Sequence, residues 1–143
     1  MANYERPADA DERIQSAITV IEALLPLKIQ PRMKQKFLSN CLWQITQAEG
    51  KSKYDIRYRS EASIGAPPRK LRHDHVTPRK VMVDALLKNS GEARSIAADA
   101  RGCVVTTKEH EKLADVDPSI DGWERYRVAG IAVRDMLYGE SLT

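Results

Sequence analysis

Cysteine is nearly absent from this chain, with only Cys41 and Cys103 among 143 residues. Two thiols so far apart exclude a disulfide framework, and a reducing cytoplasm is the expected setting. Aromatic residues make up only 6%, with a single phenylalanine, which argues against a broad surface for stacking bases. No apolar run approaches the roughly 18 residues of a membrane span. The opening Met1-Ala2-Asn3-Tyr4-Glu5-Arg6-Pro7 lacks the basic-then-apolar order of a secretory signal, so no membrane partner is expected. Internal repeats and low-complexity tracts are missing too. What is present, 42% hydrophobic and 30% charged residues, suits a single domain over residues 1–143 with a core of its own.

Charge is unevenly spread. Residues 51–80 hold nine cations (Lys51, Lys53, Arg57, Arg59, Arg69, Lys70, Arg72, Arg79, Lys80) against Asp55, Glu61 and Asp74, a surplus of six. The net charge is +3, so the remainder, with 14 basic and 17 acidic residues, carries −3. A basic segment on a mildly acidic body points to a phosphate-bearing or acidic partner. Lys51, Lys53, Arg57, Arg59, Arg72, Arg79 and Lys80 are the candidate nucleic-acid contacts.

Hydrophobic spacing predicts a mainly helical α+β fold. A helix starts near Asp9, with Glu12 three residues on and a stripe of Ile14, Ala17, Ile18, Ile21, Leu24 and Leu25, and Pro26 ends it. A second begins at Pro31, runs to about Ala48 on Phe37, Leu38, Cys41, Leu42 and Ile45, and stops at Gly50. Together they make a helical hairpin over 1–50. Tyr54, Ile56 and Tyr58 alternate with polar residues as in a strand, and 63–68 has linker composition, giving a basic extended segment over 51–68. The part over 69–143 carries all three histidines, on a few short strands and helices. Strand Leu71–Val76 turns into a helix capped by Thr77 with Pro78 first. A short helix follows at about 92–100, then strand Cys103-Val104-Val105. Next comes a helix capped by Thr106 or Thr107, with Glu109 in the capping-box position. A last helix bears Trp123 and Tyr126 and closes at Gly130, before a strand at Ile131-Ala132-Val133.

The chemistry concentrates in Leu71-Arg72-His73-Asp74-His75-Val76-Thr77-Pro78. On a strand, the two-residue period puts His73 and His75 on one face and Asp74 on the other. The following helix points its positive end back at them, which favours an anion and disfavours an imidazolium. Neutral imidazole is a metal ligand or a general base near neutral pH. A divalent ion (Mg, Mn or Zn) on His73, Asp74 or His110 can polarise a phosphodiester while another histidine activates water. A mixed zinc site of His73, His75, Cys103 and His110 is a weaker arrangement of the same residues. A helix-turn-helix over Ala98, Gly102 and Thr106 would put Lys108 at an apolar position, so a strand fits there better.

The His-Asp-His-Val-Thr-Pro strand, with a later histidine at the start of a helix, resembles the HNH or ββα-metal endonuclease motif. The resemblance implies His75 as general base, with Asp74 and His110 as metal ligands and His73 as an additional one. A second resemblance rests on His73 through Lys80, on Val104-Val105-Thr106 through His110, and on Trp123-Glu124-Arg125-Tyr126 through Ala129-Gly130-Ile131. These are similar to small bacterial and mobile-element proteins, which implies a prokaryotic or phage setting. The expected function is a metal-dependent endonuclease acting on nucleic acid. The alternatives are a nucleic-acid binder without catalysis, or a phage inhibitor acting through a protein partner; a homo-oligomer is compatible with each.

Overall fold

The computed structural model describes residues 4–143; residues 1–3 of the opening segment lie outside them. Helices α1 (Ala10–Leu24) and α2 (Pro31–Gln47) pack together as the expected hairpin. Pro31 takes the first helical position, and the Gln30 side chain accepts a hydrogen bond from the Met33 amide at 3.1 Å, capping the helix. Their apolar stripes meet as Ile18 and Ile21 against Leu38, Leu42 and Ile45, all 2% exposed or less. Helices α3 (Arg79–Lys88) and α4 (Ala93–Ala98) close this helical core with Met82, Val83, Leu86, Ala93 and Ala97.

The second layer is a five-stranded sheet in the order β2-β3-β1-β4-β5. Its strands are β1 (Tyr58–Ser60), β2 (Leu71–His75), β3 (Gly102–Thr106), β4 (Val133–Asp135) and β5 (Glu140–Ser141). Only the β1–β3 pairing is parallel. Alternation along the strands sorts the two faces. Cys103 and Val105 face α5 (Thr107–Ala114) and α6 (Gly122–Val128) in a cluster with Leu113, Tyr126 and Val133. Leu71 and Val104 turn the other way and pack on Ile56. The fold is thus α+β and mainly helical, as the spacing predicts. Among the described residues no helix is long and apolar enough to cross a membrane.

Three boundaries differ from the sequence expectation, for local reasons. The alternation at Tyr54–Tyr58 yields ladder pairing only from Tyr58, because the chain before it turns, with the Asp55 amide bonded to the Ser52 carbonyl at 3.2 Å. Helix α3 starts at Arg79 with Pro78 in the cap position, and no side chain caps it. The strand expected at Ile131 begins at Val133 instead. Gly130, at φ +72°, donates to Arg127 and Ile131 donates to the Tyr126 carbonyl at 3.0 Å, so both residues are spent ending α6. The capping box at the start of α5 forms as expected: Thr106 Oγ1 accepts from the Glu109 amide at 3.1 Å and Glu109 accepts from the Thr106 amide at 2.9 Å.

Candidate functional site

Strand β2 lies at the sheet edge and is paired on one side only, antiparallel to β3 with His73 opposite Val104, Asp74 opposite Cys103 and His75 opposite Gly102. The strand period therefore divides the motif into two separate clusters, one on each face.

On the face towards α2, both imidazoles converge on one hydroxyl. His73 Nε2 lies 3.1 Å and His75 Nε2 3.2 Å from Thr46 Oγ1, which is buried on the last turn of α2. His73 Nδ1 lies 2.8 Å from the Lys53 carbonyl. A carbonyl only accepts, so His73 carries its proton on Nδ1 and presents a bare Nε2 to Thr46. The hydroxyl has one proton and two acceptors for it, the bare His73 Nε2 and the Trp43 carbonyl at 3.0 Å, so His75 is left to donate from Nε2 to Thr46. Both rings are neutral in this arrangement. Trp43, three residues before Thr46 and so on the same side of the helix, lies against both rings, at centroid distances of 4.6 Å from His73 and 5.6 Å from His75. The room for His73 comes from β3: a Cβ on Gly102 would sit 2.5 Å from His73 Nε2.

Burial is the largest influence on both histidines. It pushes His75 down to about 3, with the neighbouring His73 and the Arg79 charge adding in the same direction. His73 is lowered by the same desolvation, partly opposed by its bond to the Lys53 carbonyl. The pair is thus uncharged at neutral pH, as a base or a ligand would need, but three of its four ring nitrogens, all except His75 Nδ1, are engaged inside the protein.

On the opposite face, Asp74 is 5% exposed and surrounded by donors. Arg125 grips it with Nη1 at 2.9 Å and Nη2 at 3.3 Å, the Tyr126 hydroxyl donates to it, and His110 Nδ1 stands 3.5 Å away. Arg125 also donates to the His75 carbonyl at 3.1 Å. Burial drives the Tyr126 hydroxyl well above its ordinary range, so it stays a donor. The Arg125 guanidinium, which desolvation alone would weaken, is held charged by the Asp74 carboxylate. His110, on the first turns of α5, is the accessible member of the group, with 47% of its side chain exposed.

The expected metal set is therefore split: His73 and His75 on one side, Asp74 and His110 on the other. Cys103 is fully buried among apolar neighbours, its thiol raised by desolvation. Among the described residues no three His, Cys, Asp or Glu side chains stand together in a way that could hold a metal ion.

The basic candidates divide as well. Arg57 is bound at both ends to Asp135, at 2.9 and 2.8 Å, and its charge is reinforced by that pairing. Arg59 turns inward, donating to the Tyr54 and Ser63 carbonyls at 3.1 Å each and to Ser63 Oγ at 3.3 Å. Both hold the β1 segment in place. Lys51, Lys53, Arg69, Lys70, Arg72, Arg79 and Lys80 are all exposed, and among the described residues none of them forms an ion pair with a carboxylate. Lys51 and Lys53 come from the loop before β1, Arg69 and Lys70 from the turn at 68–70, and Arg79 and Lys80 from the start of α3, whereas Arg72 on the edge strand β2 shares the strand face of Asp74. Two contacts join them to the histidine cluster: the Lys53 carbonyl on His73, and the Arg79 guanidinium 5.5 Å from the centre of the Trp43 ring.

Sequence reasoning missed Thr46, Trp43 and Arg125. A threonine inside a helical stripe carries a weak signal: its i, i+3 spacing from Trp43 marks a shared face, but only the fold brings that face to His73 and His75. Tyr126 was legible as core, being fully buried, though not as a partner of Asp74. No family model matches the chain, and neither a curated protein nor a solved structure is significantly similar to it.

Proposed function

We propose that the protein binds nucleic acid through a basic face formed by the loop at 51–53, the turn at 68–70 and the first turn of α3. The observation that supports this reading is the set of six exposed cations, Lys51, Lys53, Arg69, Lys70, Arg79 and Lys80, without carboxylate partners among the described residues. Unpaired surface cations repel one another and are relieved by phosphates, whose condensed counterions are released on binding. The partly buried Trp43, 5.5 Å from the Arg79 guanidinium, adds one aromatic ring beside these cations, too small to bind a strand by stacking alone. Arg57 and Arg59 fall outside this face because their side chains turn into the fold, Arg57 onto Asp135 and Arg59 onto the Tyr54 and Ser63 carbonyls.

Metal-dependent cleavage has less support. It needs His75 as base beside Asp74 and His110 as ligands, and these lie on opposite faces of β2. Binding without a resident metal is the reading the geometry supports best.

The test is fluorescence anisotropy of labelled single- and double-stranded oligonucleotides over a range of salt concentrations. With five phosphates contacted on a single strand, log K falls against log salt with a slope of about −3.5. Arg79→Glu with Lys80→Glu weakens binding and flattens that slope. Arg57→Gln lowers the melting temperature and leaves the slope alone. Affinity that is indifferent to salt, or to the Arg79 and Lys80 substitutions, defeats the proposal.

A further inference from the structure

A cavity of about 440 Å³ opens beside the basic face, between the loop at 52–55, the 64–68 turn and the end of the sheet. Its walls include Tyr54, Ile64, Leu71 and Met136, and its polar lining includes Asp55 and Arg59. The volume lies within the range of small-ligand sites. Asp55 is exposed, and among the described residues its carboxylate is in no ion pair. Arg59 feels the charge of Asp55 but, among the described residues, forms no ion pair with it. Its inward bonds use one proton on each guanidinium nitrogen, and each terminal nitrogen keeps a second. One cavity thus holds a free acceptor and a fixed donor that do not satisfy each other, with apolar and aromatic walls between.

That arrangement selects a flat ligand whose edge carries N–H donors next to a carbonyl acceptor. Guanine is such a ligand. Its N1–H and 2-amino group can donate to the Asp55 carboxylate while O6 and N7 accept from Arg59, and Tyr54 offers a ring face. The rim suits the phosphate that accompanies the base. Lys53 Nζ lies 4.9 Å over the Tyr54 ring, and Arg69 and Lys70 are exposed between the lining residues Pro68 and Leu71. Exposed cations adjacent in the chain to the lining residues favour a nucleotide over an uncharged heterocycle or a zwitterion of the same size.

We infer that this cavity takes a guanine base, presented either by a free nucleotide or by an unpaired residue of a bound strand. The strand source rests on the nucleic-acid reading above; the nucleotide source does not. Neither histidine of the pair lines the cavity, and its Arg59, a candidate nucleic-acid contact, serves here as a base donor in place of a phosphate contact.

The experiment has two arms on the full chain. In the first, calorimetry follows titration with GMP, IMP and AMP. In the second, anisotropy compares a thymidine strand carrying one central guanine with the same strand carrying hypoxanthine or adenine. GMP is expected to bind about tenfold tighter than IMP, which lacks the amino group facing Asp55, and AMP weaker still. The guanine strand shows the same order. Asp55→Asn, a surface change that leaves the backbone turn intact, removes the preference, and Tyr54→Leu weakens all three nucleotides. Strands that bind without a guanine preference, together with nucleotides that do not bind, overturn the guanine site and leave the basic face standing. Nucleotides that bind selectively while strands do not bind support the site and overturn the basic face. Selectivity that persists in Asp55→Asn overturns the assignment of the carboxylate.

Discussion

A histidine buried neutral changes how the protein responds to acid. His75 titrates at about 3 in the fold and near the ordinary 6.5 in an unfolded chain. Between those values the unfolded chain binds a proton that the folded one refuses. Stability is therefore complete above about pH 6.5 and falls as pH drops, by up to about 1.4 kcal/mol per pH unit for one such histidine. His73, lowered for the same reason, adds in the same direction. Urea unfolding at fixed ionic strength should show a midpoint that declines from pH 7 to pH 5. His75→Gln, which cannot take up the proton but can still donate to Thr46, should decline less steeply. Equal slopes would mean that His75 is not buried in this way. The two-residue period makes the shared face of His73 and His75 legible from the sequence. Their partner is not, because Thr46 lies on another element and only the docking of α2 on the sheet brings it within 3.2 Å.

At the scale of elements, β2 acts as a wall with different chemistry on its two sides. Its inner face is tied to α2 through Thr46, and its outer face to α5 and α6 through Asp74. Asp74 is the one charged residue on β2 that is almost fully enclosed, at 5% exposure. Removing it strands the Arg125 guanidinium, of whose side chain only 11% is exposed, without its counter-charge. Asp74→Ala is therefore expected to cost about 3–5 kcal/mol, within the range for breaking one side of a buried pair. His110→Ala, at an exposed position 3.5 Å from the same carboxylate, should cost under about 1 kcal/mol. Chemical denaturation of the two variants checks the ordering, and similar losses from both would mean that His110, not Arg125, anchors Asp74. The elements themselves were mostly legible. Stripe spacing gives α1 and α2, and Thr106 with Glu109 gives the start of α5. Strand ends were not, since pairing needs a partner: Ile131 is drawn into the close of α6, and β5 has only two residues, both exposed.

For the whole molecule, what matters is how a linear motif is divided in space. From Val76 to Glu109 the chain runs through α3, α4 and β3 before His110. A motif whose last member arrives after two helices and a strand is placed by topology, not by local spacing. That topology sets His110 on the face of β2 opposite His73 and His75. The charge surplus at 51–80 could be counted from the sequence; that Arg57 and Arg59 leave it for internal bonds could not. Metal addition tests the division directly. A resident divalent ion binds only the folded state and stabilises it by RT ln(1 + [M]/Kd), about 2.7 kcal/mol at a hundredfold excess over Kd. Here the two neutral imidazoles meet at a threonine hydroxyl, a poor ligand while it bears its proton. The nearest carboxylate on the strand points away and is held by Arg125 and Tyr126. Millimolar Mn²⁺ is therefore expected to leave the thermal midpoint of the wild type unchanged, and of His75→Ala likewise. A rise of several degrees in the wild type that vanishes in His75→Ala would require the edge strand to rearrange around the ion. It would return the metal-dependent endonuclease reading to first place, with a nuclease assay of the same two proteins as its immediate consequence.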